Sequence, residues 1–245
     1  WLTGFVCDEG LFEFCRMPFG LKCASNTFTR AISIILQNIR DFVESFVDDM
    51  AVCSMSWKEH LSHLKRYLQT IKQAGLTLSL KKCRFARNKV TFVGHVIGSG
   101  LKEIDPSKIE CLSSIMAPTT KKEVRKLMGF FNYFRSFIPN MAETTRVITD
   151  LTRKEVSNRV PWGPEHQRAL DKLKTLLSTA VCLHSINTSG RFGLLVDASQ
   201  FAIGCCLIQW DSSDNEVPIA FASCKLSATQ SRWSTIEREA YAVIW

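Results

Sequence analysis

Apolar and polar positions alternate over Leu11-Phe-Glu-Phe-Cys-Arg-Met17, the pattern of a half-buried strand, and Pro18 and Gly20 bring it to a stop. From about Ala24 the period changes, and Phe28, Ile32, Ile35, Leu36 and Ile39 fall on one face of an amphipathic helix. Phe42 to Val47 and Met50 to Ser54 are apolar runs separated only by Asp48-Asp49, which predicts a tight hairpin with two carboxylates at its turn. A helix is expected from about Trp57 to Ala74, capped by Gly75. Val90 to Ile97, with Gly94 in the middle, reads as a second short hairpin.

Residues 105 to about 153 change to helical patterns, opened by Pro106 and carrying the basic stretch Lys121-Lys-Glu-Val-Arg-Lys126 ahead of Phe130, Phe131, Tyr133, Phe134 and Phe137. Aromatics at this spacing predict a helix core. Asn158 to Pro164 is a linker, and Glu165 to Ser178 a helix with Leu170, Leu173, Leu176 and Leu177 on its apolar side. Residues 191–197, 201–210 and 217–224 read as successive strands, and Ser234-Thr-Ile-Glu237 has the form of a capping box opening a last helix.

The 245 residues are enough for more than one domain, and with 46% hydrophobic against 22% charged residues the chain has neither the excess charge of a disordered protein nor a long unbroken apolar run for a membrane helix. Lys and Arg number 31 against 23 Asp and Glu, a net +8 that favours a polyanionic partner, nucleic acid first. The ten cysteines form no CxxC pair and no signal peptide accompanies them, so they are expected to be reduced core residues of a cytoplasmic protein. The chain opens on Trp1 rather than Met and its last helix pattern runs to Trp245 with no stop signal, so both ends are expected to be cut.

Asp48 and Asp49 are the first candidates for chemistry, because adjacent carboxylates at a hairpin tip repel unless a cation lies between them. Two-metal phosphoryl transfer needs such carboxylates on a rigid support. Asp is also an ordinary turn residue, so the pair alone leaves both readings open. Asp197 leaves the apolar run Phe192-Gly-Leu-Leu-Val196 and allows the same two readings. In the last helix Glu237 is explained by the capping box, whereas Glu239 falls on the apolar face with no local partner. His60 and His63, three apart on a helix without a third ligand at a recognised spacing, read as surface or groove residues.

In order along the chain, Leu11-Phe-Glu-Phe-Cys-Arg-Met-Pro-Phe-Gly-Leu-Lys-Cys-Ala-Ser25, Phe46-Val-Asp-Asp49, Gly75-Leu-Thr-Leu-Ser-Leu-Lys-Lys-Cys83, Val90-Thr-Phe-Val-Gly-His95, Thr120-Lys-Lys-Glu-Val-Arg-Lys-Leu-Met-Gly129, Phe134-Arg-Ser-Phe-Ile-Pro139, Asp197-Ala-Ser199 and Glu237-Arg-Glu239 closely resemble the reverse transcriptase and ribonuclease H region of gypsy-type LTR retrotransposon Pol polyproteins. The resemblance covers essentially the whole chain. It implies an α+β fold: a partial polymerase palm over residues 1–104, a helical thumb over 105–155, a connecting segment over 156–190 and the first part of a ribonuclease H-like domain over 191–245.

By the same resemblance, Asp48 and Asp49 hold Mg²⁺ for nucleotide addition, with Asp48 the stronger direct ligand, and Phe46 stands where the family more often has Tyr near the primer end. Pro18, Phe19 and Gly20 form the loop against nucleotide and template, and Gly94 and His95 lie in the hairpin that positions the primer. Lys121, Lys122, Arg125 and Lys126 are candidates for phosphate contact, or a solvated face. Asp197 and Glu239 hold the metals that cleave RNA in an RNA–DNA hybrid, an endonuclease step. The implied activities are RNA-directed DNA synthesis and RNA removal, with two Mg²⁺ ions per site, Mn²⁺ as an alternative, and RNA template, DNA primer, deoxynucleotides and hybrid as partners. A further metal-binding Asp is expected upstream of Trp1 and more acidic residues beyond Trp245, which would leave these 245 residues inactive alone. The competing reading is a non-catalytic, nucleic-acid-binding remnant of a decayed element. The resemblance gives no oligomeric state, no membrane, and a cytoplasmic location within retrotransposon particles.

Overall fold

In the computed structural model, which describes residues 3–245, the chain divides into two units, one running through Ala86 and the other spanning Arg87–Trp245. Trp1 and Leu2, the start of the expected palm, lie outside the described residues.

The first unit begins with a small antiparallel hairpin of β1 (Phe5–Cys7) and β2 (Gly10–Phe12). The strand expected over 11–17 is therefore shorter and begins earlier. A strand needs a partner ladder for its backbone groups, and the short β1 offers partners only as far as Phe12. Next, α1 (Ala24–Ile35) and a short 3-10 turn (Gln37–Ile39) bring Ile32, Leu36 and Ile39 into one core with Phe42, Val43, Tyr67 and Ile71. Strands β3 (Val43–Phe46) and β4 (Asp49–Val52) pair antiparallel and rest against this core through Val43, Met50 and Val52. The long α2 (Trp57–Gln73) starts at Ser56, whose side chain accepts the Glu59 amide, and ends before Gly75 at φ +69°.

The second unit opens on a four-stranded antiparallel sheet in the order β5 (Lys89–Phe92), β6 (His95–Gly98), β7 (Leu101–Ile104) and β8 (Leu183–His184). Helices α3 (Pro106–Glu110), α4 (Lys121–Tyr133), α5 (Met141–Asp150) and α6 (Pro164–Ser178) supply the main core. In it Val124, Phe131, Phe134, Phe137, Ile148, Leu170, Leu173 and Leu177 are almost fully buried. The chain then forms the sheet β11-β10-β9 from β9 (Phe192–Ala198), β10 (Ala202–Trp210) and β11 (Glu216–Lys225), and ends in α7 (Thr235–Ile244) behind a capping box of Ser234 and Glu237.

This last sheet is joined to the helices. Phe221 packs on the helical core, the Ala142 amide donates to Ser223 Oγ at 2.9 Å, and Lys225 Nζ lies 2.6 Å from Asp150 Oδ1. All ten cysteines are free, six exposed and four half-buried, so the expectation that they are core residues is corrected. Four of them, Cys7, Cys15, Cys23 and Cys53, lie in exposed stretches of the first unit, and Cys205, Cys206 and Cys224 line strand faces that are only partly covered. Among the described residues no helix is long and apolar enough to cross a membrane.

Candidate active-site carboxylates and nucleic-acid interface

The β3–β4 hairpin closes through two residues, Val47 and Asp48, because the last paired positions are Phe46 and Asp49. The turn thus sits one residue earlier than the sequence pattern suggests, and the two carboxylates are not equivalent. Asp48 stands in the turn, and Asp49 is the first residue of β4. Two-residue hairpins need a positive φ to match the strand twist. Val47 supplies it at φ +55°, a conformation a β-branched residue rarely takes. Asp48 and Asp49 are exposed and their carboxylates make no hydrogen bond or ion pair among the described residues, so both are free to meet a cation.

Phe46 is half-exposed beside Asp49. Phe19 is fully exposed in the turn after Pro18, and Gly20 takes φ +91°, which only glycine adopts without strain. His60 and His63 have a local role: Ser54 Oγ lies 3.2 Å from His60 Nδ1 and 2.8 Å from His63 Nδ1. The His63 ring stacks on Phe42 at 3.9 Å. The hydroxyl between the two imidazoles anchors the end of β4 to α2.

In the second unit, β5 and β6 are joined by Val93 and Gly94, at φ +47° and +70°. His95, the first residue of β6, is buried, with its ring stacked against Tyr133 at 5.3 Å and Phe137 at 5.5 Å and edge-on to Phe134 at 5.6 Å. Its Nδ1 has no partner among the described residues. Burial in this apolar cage, with a smaller push from the Lys102 ammonium, lowers its pKa to about 4, so the imidazole is neutral. Its ring is enclosed.

The four basic residues of α4 divide into two kinds. Lys121 is spent on structure, its Nζ donating to the carbonyl of Arg153 at 2.5 Å. Lys122, Arg125 and Lys126 are exposed and unpaired on the outer face of the helix. Phe131, Phe134 and Phe137 are buried as expected, and Tyr133 is the exception, 47% exposed.

Asp197 pairs across the sheet with Gly204 and alternates with Val196 and Ala198, which pack toward α7. It is exposed, whereas Glu239 is half-buried on α7, and neither carboxylate makes a hydrogen bond or ion pair among the described residues. Glu237 is occupied by the helix cap: its carboxylate accepts the Ser234 amide at 2.7 Å, and that bond lowers its pKa. Among the described residues no group of three or more His, Cys, Asp and Glu side chains converges as a ready metal cage.

Sequence reasoning missed three participants: Val47 as the strained turn residue, Tyr133 over the β5–β6 turn, and Asn140 against Gly204. Tyr133 carried a signal, being the one hydroxyl in a run of phenylalanines.

The matches to known families do not coincide with the two units, since the first runs past Ala86 into the β5–β6 hairpin and the second begins within the second unit. Residues 1–97 match the family model described as reverse transcriptase (RNA-dependent DNA polymerase), and residues 162–245 match that of the RNase H-like domain found in reverse transcriptase. The chain is 32% identical to the retrovirus-related Pol polyprotein from transposon opus of Drosophila melanogaster, over 99% of this chain and 25% of that protein. It is also 32% identical to the transposon Tf2-3 polyprotein of Schizosaccharomyces pombe, over 98% of this chain and 18% of that one. The chain thus spans a quarter or less of these relatives. Among solved structures it resembles a foamy viral protease-reverse transcriptase in complex with double-stranded DNA, with a TM-score of 0.86, 26% identity, and coverage of 99% of this chain and 42% of that one. The chain therefore joins a segment that matches reverse transcriptase to a segment that matches the RNase H-like domain, and these relatives are polyproteins of transposons.

Proposed function

We propose that this chain is part of an RNA-directed DNA polymerase with ribonuclease H activity, from the Pol polyprotein of a gypsy-type element and acting within its particles. One observation carries the reading: two adjacent, exposed carboxylates without partners, Asp48 and Asp49, stand at a strained hairpin turn inside the segment that matches reverse transcriptase. The strain at Val47 fits a turn kept for what it presents. In this reading residues 1–104 are palm, 105–155 thumb, 156–190 connection and 191–245 ribonuclease H-like.

The donor set suits Mg²⁺, which takes one or two carboxylates and fills its remaining positions with water and substrate phosphate oxygens. Asp48 and Asp49 would hold it for polymerisation, and Asp197 and Glu239 for hydrolysis; their lack of protein partners supports both assignments. Bound there, the ions would stabilise the charge that develops on the phosphoryl oxygens.

The chain's own residues bind and orient. Phe19 and Gly20 present an exposed ring and an open backbone to the templating base and the nucleotide, and Phe46 offers an apolar surface to the primer end. Val93 and Gly94 bring backbone to the primer's sugar-phosphate chain, and Lys122, Arg125 and Lys126 neutralise phosphates along the duplex. The test is paired. Asp48→Asn should abolish primer extension and leave hybrid cleavage, while Asp197→Asn should do the reverse. Loss of both activities in either variant would contradict two separate sites. Tight duplex binding with no chemistry in the wild type would instead favour a binding remnant.

A further inference from the structure

The β5–β6 turn is an unusual object by itself. Both of its central residues lie in the left-handed region, and the first is valine, where such turns favour asparagine or aspartate. Something outside the hairpin must hold it, and the contact is Tyr133, at the end of α4. The Tyr133 hydroxyl donates to the Val93 carbonyl. The Tyr133 ring covers Gly94, whose missing β-carbon would fall 3.5 Å from Tyr133 Cε1, and lies within 5° of parallel to the His95 ring. Three consecutive residues of the turn are thus gripped by one side chain. Tyr133 is nevertheless 47% exposed, so its hydroxyl has water as an alternative, and its ring adds less to the core than those of Phe131 and Phe134 beside it.

We propose that Tyr133 is a positioning residue for the primer strand, locking the Phe92–His95 turn to α4 in the one conformation that brings its backbone against the sugar-phosphate chain. The inference rests on the polymerase reading above. It makes the helix with the exposed cations Lys122, Arg125 and Lys126 and the primer-facing turn a single rigid element, so phosphate contacts on α4 and backbone contacts at Gly94 are made and broken together. The neutral His95 suits this arrangement, because a ring stack in an apolar cage would be disrupted by a charge.

The experiment uses the polymerase continued upstream through the strand expected to carry the further carboxylate, with Tyr133→Phe, which keeps the ring and deletes the hydroxyl, and Tyr133→Leu, which also deletes the stack. Dissociation of a fluorescent RNA–DNA primer–template and the length of single-binding extension products are measured beside the thermal midpoint of each protein. The expected result is primer–template release faster by about three- to tenfold in Tyr133→Phe, the scale of one hydrogen bond. Release should be faster still in Tyr133→Leu, with KM for the nucleotide unchanged and extension products shortened in proportion. Amide exchange at Gly94 and His95 should accelerate in the same order. If Tyr133→Phe releases primer at the wild-type rate while the wild type extends normally, the positioning role is wrong and the polymerase reading stands. If the wild type neither holds nor extends a primer, both fall. A variant with a lowered thermal midpoint but unchanged release marks Tyr133 as a structural residue only.

Discussion

Asn140 seats its side chain against the backbone of Gly204, so closely that a β-carbon at Gly204 would fall 1.9 Å from Asn140 Oδ1. Asn140 is itself left-handed, at φ +47°, and caps α5, while Gly204 is the cross-strand neighbour of Asp197. The helical part and the last sheet therefore meet at a point where neither residue can grow. Gly204→Ala should destabilise the second unit by about 1–3 kcal/mol through overpacking. Asn140→Gly, compatible with its φ, should recover most of that loss in the double variant. Urea unfolding of the four proteins of this cycle gives the coupling, and strict additivity would mean that the two residues do not touch.

Acid should loosen the protein before the hydrogen-bonded carboxylates Glu123, Asp211 and Glu237 are protonated. His95 has its pKa lowered from 6.5 to about 4, so over that interval the unfolded chain carries a proton that the folded chain refuses. This contribution to stability is complete above about pH 6.5, falls as the pH drops toward 4, and amounts to on the order of 3 kcal/mol. The hydrogen-bonded carboxylates Glu123, Asp211 and Glu237, with pKa values below their ordinary ones, lose their contributions only at lower pH. Urea midpoints measured from about pH 7.5 down to about pH 4.5, a window that spans the His95 interval, should slope in the wild type, and the slope should shrink in His95→Phe. An unchanged slope would place the proton elsewhere.

The exposed cations of α4 should act on nucleic acid, and Lys121 on the fold. Replacing Lys122, Arg125 and Lys126 together by Ala should weaken duplex binding and lower the slope of log affinity against log salt by about 0.7–0.9 for each phosphate that is no longer neutralised. Stability should barely change. Lys121→Ala should do the opposite, since it removes the bond to the Arg153 carbonyl. Salt titrations of duplex binding beside thermal melts separate the two, and an undiminished salt slope in the triple variant would remove α4 from the interface.

The strained turn gives a fourth expectation. Val47→Gly relieves the left-handed conformation of a β-branched residue and should stabilise the first unit by about 1 kcal/mol, measured by chemical denaturation. Val47→Ala, which stays strained, should gain less. Destabilisation by the glycine would mean that the turn costs nothing as it stands.

Much of the architecture was legible because it follows from period and punctuation. The stripe Phe28, Ile32, Ile35, Leu36 and Ile39, the Gly75 stop, the leucines of α6 and the Ser234–Glu237 capping box all have local causes, and all are present. What was not legible depends on partners far along the chain. Strand β8 joins β7 across the whole span of α3 to α6, Tyr133 reaches Val93 across 40 residues, and β2 ends where β1 runs out. The carboxylates were found as residue types, Asp48 and Asp49 by their adjacency and Asp197 by its strand. Their inequivalence was hidden because a one-residue shift of a hairpin turn leaves the composition of the segment unchanged.

The most direct measurement is primer extension on an RNA template with Mg²⁺, by these 245 residues alone and continued upstream through the strand expected to carry a further carboxylate, each with and without Asp48→Asn. The account predicts extension by the longer protein that falls by on the order of a hundredfold or more in the Asp48 variant, while duplex binding is kept. A folded longer protein that binds primer–template and extends it equally well with Asp48→Asn, or never extends it, would contradict the assignment of Asp48 to a polymerase site.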